Sequence, residues 1–305
     1  MESSFEAYFT PNLPFQSEIE AFVDLQSKLQ RPLAVVASGG TSVPLEQHTV
    51  RFLDNFSTGR RGAASAEYLL QTGYAVLFLF RDKSLQPFHR HFEGFAAKPA
   101  EFFALSGNGR WELDSALLTS VMETGVLQYR QVREERRYLP VPYCTVYEYV
   151  QYLQKVATSC ARLGRAVVMY MAAAVSDFYL PFENFFVHKT SSDEDLVLRL
   201  QRVPKCLDIL HSAWAPEAFL VGFKLETNMD TLLERARQLL ERSGAHIVIA
   251  NTLQERHESV WVVQHDRQER LEKASPEDEL ERQLVASVVA LHRSYWQDNE
   301  SWNQR

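Results

Sequence analysis

The sequence has few cysteines, no long apolar run and no excess of positive charge. Its three cysteines, Cys144, Cys160 and Cys206, are widely spaced and form no C-x-x-C pair, so neither a disulfide framework nor a zinc site is predicted. Apolar stretches such as residues 166–175 are too short to cross a bilayer, and the N-terminus lacks the pattern of a signal peptide. A formal net charge of −7 argues against general nucleic-acid binding. We therefore expect a cytoplasmic protein with small-molecule partners and with neither a nucleic-acid nor a membrane partner.

Two standard phosphate-binding motifs are also missing. The chain contains neither G-x-G-x-x-G nor G-x-x-x-x-G-K-[ST]. No acidic residue ends the second predicted strand before Arg81, although such a residue would bind the ribose of a nicotinamide dinucleotide. A nicotinamide-dependent oxidoreductase is therefore a disfavoured alternative, and any phosphate site must be of another kind.

Apolar periodicity predicts strands that alternate with helices along a chain rich enough in hydrophobic residues, at 46% of 305, to bury a large core. Buried strands are predicted at 33–37, 74–80, 165–171, 219–223, 246–250 and 260–263, and a half-buried strand at 196–201. Helices are predicted at 16–29, from Ser57 onwards, and at 146–163, 229–241 and 278–295. This order predicts an α/β fold: a Rossmann-like, mainly parallel sheet covered by helices on both faces.

The chain has no Pro- or Gly-rich linker and no internal repeat, so residues 1–305 are predicted to form a single domain. An inserted flap is expected at about 179–204 and a polar tail at 297–305. The segment 81–140 carries no clear functional signal. Its histidines, including His89 and His91, are interpreted as solvated loop residues, because no acidic or cysteine partner lies at metal-ligand spacing.

One stretch, residues 33–66, carries most of the functional signal. A buried strand ends abruptly at Ser38-Gly39-Gly40-Thr41, where the backbone can come close to a ligand. The segment before the next helix concentrates donors, glycines and positive charge: Asn55, Ser57, Thr58, Gly59, Arg60, Arg61 and Gly62. Free backbone N–H groups and a helix N-terminus beyond a strand favour an anionic ligand, and we expect phosphate. For the Ser-Gly-Gly-Thr motif alone, a purely structural turn is the alternative.

Further polar or small residues follow other predicted strands. They are found at 172–177, at 223–227 and at Asn251. Because parallel strands end at one edge of a sheet, these segments are expected to converge with residues 38–41 and to form an active site. Asp177 has a second interpretation as a helix cap, and a lone lysine such as Lys189 is more often solvated surface.

These segments together resemble one known family. The stretches SGGT, VPLE, VRFLDNFSTGRRGA, YMAAAVSDFY, HK, VPK, GFKLET and VIAN are similar to those of phosphopantothenoylcysteine synthetase in its eukaryotic, single-function form. The similarity spans residues 33–252 and is weakest at 88–141. It implies a ligase that joins phosphopantothenate to L-cysteine through an acyl nucleotidylate, using ATP or CTP and releasing the nucleoside monophosphate and pyrophosphate.

The resemblance also implies cofactors, partners and alternatives. Mg²⁺ is expected on the triphosphate, held mostly by phosphates and water. ATP is favoured over CTP because the layout looks eukaryotic, and a homodimer is expected, in which a flap of one subunit helps to cover the other's site. A noncatalytic nucleotide sensor of the same fold is the remaining alternative.

The resemblance assigns roles to individual residues. Those that would bind the nucleotide are Gly39, Ser57, Gly59, Gly62, Phe223 and Asn251. Those that would hold phosphopantothenate are Asn55, Ala173, Ala174 and Asp177. Asn55 is also the candidate catalytic residue, because a neutral amide can orient the carboxylate and then bind the acyl intermediate. Lys189 is expected to neutralise phosphate charge as the anhydride forms, with Lys205 as a second candidate.

Overall fold

The computed structural model describes residues 5–186 and 195–297. Its strands are β1 (Leu33–Ser38), β2 (Ser42–Pro44), β3 (Phe52–Asp54), β4 (Ala75–Arg81), β5 (Phe103–Leu105), β6 (Trp111–Leu113), β7 (Tyr138–Tyr143), β8 (Val167–Met171), β9 (Phe178–Tyr179), β10 (Gln201–Arg202), β11 (Phe219–Glu226), β12 (Ile247–Thr252), β13 (Ser259–Val263) and β14 (Gln268–Glu272). Its α-helices are α1 (Gln16–Lys28), α2 (Arg60–Gln71), α3 (Glu93–Ala97), α4 (Ser120–Glu134), α5 (Val146–Cys160), α6 (Cys206–Ile209), α7 (Met229–Ser243) and α8 (Leu280–Gln297).

The central sheet has eight strands in the order β14-β13-β12-β11-β8-β1-β4-β7. The six strands from β12 to β7 in this order pair in parallel, and β13 and β14 are antiparallel. Counted along the chain, the parallel strands follow the order 3-2-1-4-5-6 of dinucleotide-binding Rossmann folds. The strand order reverses between β1 and β8, and the loops after these two strands therefore flank a crevice. The predicted fold class is confirmed.

Helices cover both faces of the sheet because residues of each buried strand alternate between two hydrophobic cores. Leu33, Val35 and Ala37 of β1 pack towards α1, α5 and α7, whereas Ala34 and Val36 pack towards α2 and α8. All six residues of β1 are buried, which explains its uninterrupted apolar run. Local signals fix helix ends: Thr145 and Glu148 form a capping box at the start of α5.

Two sequence predictions require correction. The alternating residues 196–200 do not form a half-buried strand: Leu196 and Val197 are exposed, and pairing is limited to Gln201–Arg202 against Phe178–Tyr179. Strand β7 was not predicted, because its sequence YLPVPY contains two prolines. Prolines are tolerated there because β7 is an edge strand with β4 as its neighbour.

The histidines that were predicted to be solvated differ in the structure: His89 is exposed, whereas His91 is partly buried. Phe88 is buried in the core below α2, and Arg90 is buried between Glu67 of α2 and Glu279 at the start of α8. His91 Nε2 lies 3.0 Å from Glu67 Oε2. A buried arginine with two carboxylate partners thus joins two helices on one face of the sheet, which a search for metal-ligand spacing does not detect.

The predicted domain organisation stays a prediction. The expected flap at 179–204 includes residues 187–194, which lie outside the described residues, as does most of the tail. Within residues 5–186 and 195–297, none of the helices combines the length and the apolar character needed to cross a membrane.

Candidate active site

The loop after β1 is built around two glycines. Gly39 has a φ of +87°, a conformation that side chains disfavour, and a Cβ there would lie 2.6 Å from Arg81 Cβ. A Cβ at Gly40 would overlap the backbone oxygen of Asn55. Residues 39–40 are therefore enclosed between the end of β4 and the segment after β3. Only glycine lets these backbones approach so closely.

The first turn of α2 lies against the same loop. Gly59 precedes the helix with a φ of +78°, and its N–H is 3.3 Å from Ser57 Oγ. A Cβ at Gly62 would lie 2.5 Å from Ser38 Cβ, on the last residue of β1. The absence of a side chain at Gly62 thus brings the helix N-terminus up to the end of β1. Such a helix end favours an anion.

The loop after β8 is joined to the loop after β1 by backbone hydrogen bonds. Ala174 N–H donates to Gly39 O at 2.8 Å, and Thr41 N–H donates to Ala174 O at 3.2 Å. The Asn55 backbone N–H donates to Thr41 O at 3.1 Å, and its side-chain Nδ2 lies 3.4 Å from Val175 O. The sequence predicted that residues 38–41 and 172–177 converge, and Gly39, Thr41 and Ala174 do lie together at the strand-order reversal, with Asn55 beside them.

Because side chains alternate along a strand, the predicted site residues are divided between the two faces of the sheet. Phe223 and Asn251 point towards the α2 face. The Phe223 ring packs edge-on against Tyr170 at 4.9 Å, and Asn251 is buried, with its amide donating to Thr252 O at 3.0 Å. Ala173 packs on the core of the other face, with α5 and α7. The Phe223 ring and Asn251, predicted for the nucleotide, therefore lie on one face of the sheet, and Ala173, predicted for the acid, packs on the other.

A cavity of about 290 Å³ opens on the α5–α7 face. Three predicted acid-binding residues, Ala173, Asp177 and Lys205, line it, together with Phe223. Its charged lining residues are four cations and two carboxylates: Lys205, Lys224, Arg235, Arg242, Asp177 and Asp208. An excess of positive charge in a concave site favours an anionic ligand.

Two of the cavity's cations are already paired with its two carboxylates, and Arg242 Nε lies 3.2 Å from the carboxylate of Asp208. Lys205 Nζ lies 3.2 Å from Asp177 Oδ1, and both side chains are at least half exposed, so this ion pair contributes little to stability. Cys206 also lines the cavity, and burial raises the pKa of its thiol to about 12. A thiol that stays protonated is a poor nucleophile. Cys206 is therefore poorly suited to act as a covalent nucleophile.

Other predicted features lie apart or outside the described residues. Lys189 belongs to segment 187–194 and is not described. Arg60 pairs with Glu93 at 2.5 Å, and Arg61 donates to the backbone oxygen of Arg256, so both predicted cations have protein partners. Within the described ranges, no group of three His, Cys, Asp or Glu side chains is arranged to hold a metal ion.

Sequence reasoning missed the contribution of the segment after β4. Arg81 pairs with Asp54, and Ser84 Oγ lies 3.1 Å from the positions that a Cβ would take at Gly39 and at Gly59. Leu85 N–H donates to Thr58 O at 2.9 Å, which ties the segment to the start of α2. The one available signal was that Arg81 ends a buried strand beside the glycine loop.

Comparison with known proteins identifies close similarity over most of the chain. Residues 141–291 match the family model described as the C-terminal domain of DNA/pantothenate metabolism flavoproteins. Phosphopantothenate–cysteine ligase 2 of rice is 41% identical over 263 residues, covering 85% of this chain and 80% of the relative. The human phosphopantothenate–cysteine ligase is 38% identical over 273 residues, covering 87% and 88%.

Solved structures agree with these relatives. A mutant of Cab2 in complex with phosphopantothenate-cysteine superposes with a TM-score of 0.87 and 32% identity, covering 97% of this chain and 99% of that chain. The yeast protein CAB2 is named a phosphopantothenate–cysteine ligase. A flavoprotein from Streptococcus pneumoniae, at 19% identity and a TM-score of 0.57, shares the fold alone.

Proposed function

Because the chain belongs to the family of phosphopantothenate–cysteine ligases, we propose that it activates phosphopantothenate as an acyl nucleotidylate with ATP and then transfers the acyl group to L-cysteine. Its membership makes it an enzyme of coenzyme A biosynthesis. The observation that carries the mechanism is the backbone-bonded crest of Gly39, Thr41 and Ala174, with Asn55 beside it. At this crest a nucleotide on one face and an acid on the other can meet.

The nucleotide binds on the α2 face in this proposal. Its phosphates lie at the glycine loop and the first turn of α2, where Gly62 lets the helix N-terminus come up to the end of β1. The base lies towards Phe223 and Asn251, which face the same side of the sheet. ATP stays the preferred nucleotide and CTP the alternative.

Phosphopantothenate binds from the crest into the cavity on the other face. Its carboxylate lies at Asn55, within reach of the α-phosphate, and its chain crosses Ala173 and Ala174. The phosphate at its far end enters the cavity, where Lys205 and Arg242 offset its charge. Asp177 orients the chain and keeps Lys205 in place.

The chemistry requires positioning and charge stabilisation more than an enzyme nucleophile. A carboxylate oxygen of the acid attacks the α-phosphorus, and the bond to pyrophosphate breaks. The neutral amine of cysteine then attacks the acyl carbon, the nucleoside monophosphate leaves, and the amine's proton is released. The Asn55 amide orients the carboxylate without adding a charge, and Lys189 offsets the charge that builds on the phosphates.

Magnesium fits this site as a companion of the triphosphate. Since the described residues bring no three ligating side chains together, the ion would be held by phosphate oxygens and water, as Mg²⁺ often is. It would supply charge neutralisation at the phosphates, while the glycine loop and Asn55 position the reacting groups.

The decisive experiment omits cysteine. Purified protein is mixed with phosphopantothenate, Mg²⁺ and ATP, and an acyl adenylate is sought by mass spectrometry, in wild type, Asn55→Ala and the surface control Asn12→Ala. We expect the adenylate to accumulate in wild type and in the control, to disappear when cysteine is added, and to fall in Asn55→Ala. Absence of an acyl nucleotidylate with both ATP and CTP, in folded protein, would favour the nucleotide sensor instead. Turnover at subsaturating ATP and CTP compares the two bases.

A second experiment tests the two-sided arrangement. Arg242 and Arg237 lie on α7, but only Arg242 lines the cavity. Arg242→Met is expected to raise KM for phosphopantothenate by about tenfold, the cost of one charge-assisted contact, while KM for ATP stays unchanged. Arg237→Met is the matched control and should leave both constants unchanged. A rise in KM for ATP alone would mean that the nucleotide, and not phosphopantothenate, occupies the cavity.

A homodimer and a cytoplasmic location are also part of the proposal. The hairpin of β2 and β3 carries Phe52 and Phe56, which are 51% and 85% exposed and lie beside Asn55. Apolar side chains at such a position suit a subunit contact. Light scattering during turnover tests the assembly, and an active monomer would contradict it. Fluorescence microscopy of the tagged chain tests the location.

A further inference from the structure

We propose that Arg81 is a positioning residue for the ligation, which acts by holding the hairpin that carries Asn55 through its ion pair with Asp54. The inference rests on the proposed role of Asn55. Neither Arg81 nor Asp54 belongs to the residues that the sequence singled out for the site.

The glycine loop brings the end of β4 and the segment after β3 together. Arg81 Cβ lies 2.6 Å from the position of a Cβ at Gly39, and the Asn55 backbone oxygen occupies the position of a Cβ at Gly40. The backbone of residues 39–40 therefore lies between the Arg81 side chain and Asn55. The Arg81 guanidinium pairs with the carboxylate of Asp54, the residue that precedes Asn55.

The hairpin strand that leads to Asn55 has few other anchors. All three residues of β3 are exposed, and its pairing partner in a two-stranded sheet is β2. Asn55 itself is held by its backbone bond to Thr41 O and by a long side-chain approach to Val175 O at 3.4 Å. The ion pair adds a contact from the central sheet at the point where β3 ends.

The two residues of this ion pair differ in how firmly their strands are paired and in their exposure. Arg81 closes a strand paired on both sides, with β1 and β7, and its side chain is only 20% exposed. The Asp54 side chain is 39% exposed on the hairpin. Because the cation belongs to the central sheet and the carboxylate to the exposed hairpin, the ion pair restrains Asn55, the neighbour of Asp54, and sets its distance to the loop. Small misplacements of a positioning group cost large factors in rate.

The test combines kinetics with a background variant. Arg81→Met and Asp54→Asn are each expected to lower kcat by about tenfold and to change KM for ATP by less than about threefold, because the lost interaction acts on the reacting geometry. In an Asn55→Ala background, Arg81→Met should lower kcat by less than about twofold further. The matched control, Lys83→Met, removes an exposed cation from the same segment and should leave kcat and KM unchanged.

Two kinetic results would overturn the proposal. A tenfold rise in KM for ATP in Arg81→Met, without a fall in kcat and without the same effect in Asp54→Asn, would make Arg81 a direct phosphate contact. An equal loss of kcat in the presence and absence of Asn55 would show that the ion pair does not act through this residue. Far-UV circular dichroism checks that each variant is folded.

Hydrogen exchange provides a readout that does not depend on the ligation. The backbone N–H of Asn55, which donates to Thr41 O, should exchange about tenfold faster in Arg81→Met and Asp54→Asn. It should exchange at the wild-type rate in Lys83→Met. Unchanged exchange in both ion-pair variants would overturn the positioning role. Faster exchange in a protein that forms no acyl nucleotidylate would support the role in the hairpin while refuting the proposed function.

Discussion

Gly62→Ala is expected to destabilise the protein although alanine is the better helix former. The new Cβ would lie 2.5 Å from Ser38 Cβ and 3.3 Å from Ser38 Cα. Ser38 is fully buried and ends β1, which is paired on one side with β4 and on the other with β8, so the strand cannot move away. The first turn of α2 must shift instead, and with it the loop proposed to bind phosphate.

The magnitude follows from two opposing contributions. Overpacking a tight contact costs about 1–3 kcal/mol, and replacing glycine by alanine in a helix returns at most about 1 kcal/mol. We therefore expect the free energy of unfolding to fall by about 1–2 kcal/mol. KM for ATP should rise as well, because the displaced helix end is the proposed phosphate site.

Urea unfolding followed by fluorescence and circular dichroism measures the change, provided that both probes report one transition. Gly94→Ala is the matched control, since it also lies in a helix and a Cβ there meets nothing within 4 Å. The control should be neutral or stabilising by up to about 1 kcal/mol. A Gly62→Ala protein as stable as wild type would refute the close-contact argument, and adding Ser38→Gly should recover part of the loss if the argument holds.

Acid should weaken the fold through His292 and His246, because burial lowers the pKa of each to about 4 from 6.5 and the folded state therefore holds the neutral ring. The stability that the neutral rings contribute is complete above pH 6.5 and is lost as the pH falls towards 4, by roughly 3 kcal/mol for His292. His292→Gln should therefore flatten this part of a plot of the urea midpoint against pH. An unchanged plot would contradict the assignment. Arg90→Met leaves Glu67 buried without its arginine partner and should cost about 3–5 kcal/mol in urea unfolding, whereas Lys98→Met at an exposed pair should cost less than about 1 kcal/mol. Equal losses in these two variants would contradict the burial argument.

The sequence was sufficient to predict the central strands because their burial is complete. Residues 33–37 were predicted as a strand and Leu33–Ser38 form one, since an uninterrupted apolar run suits a strand covered on both faces. The same rule fails for β7, where prolines interrupt the pattern at an edge. It also fails at residues 196–200, where alternation without a packing surface produced no strand.

The candidate site was predictable only where its residues follow strands. Residues 38–41 and 172–177 were predicted to converge because parallel strands end at one edge, and the structure joins Gly39 to Ala174. Asn55 was singled out instead as a donor of the segment before α2. Arg81 and Asp54 were missed because their pairing depends on where β4 and the hairpin lie relative to each other. The separation of Phe223 from Ala173 onto opposite faces was also beyond the sequence pattern, because it depends on the register of β11 and β8.

The crest between β1 and β8 is held by main-chain groups, and this limits how it can be mapped by mutagenesis. Replacing Thr41 or Ala174 with another ordinary residue keeps the N–H and C=O groups that join the two loops. An alanine scan would therefore leave these two hydrogen bonds in place, and the losses it records at Gly39 and Gly40 would report the clash of the new Cβ instead. Amide-to-ester replacement at Ala174, which deletes the donor to Gly39 O, would expose the contribution that side-chain scanning overlooks.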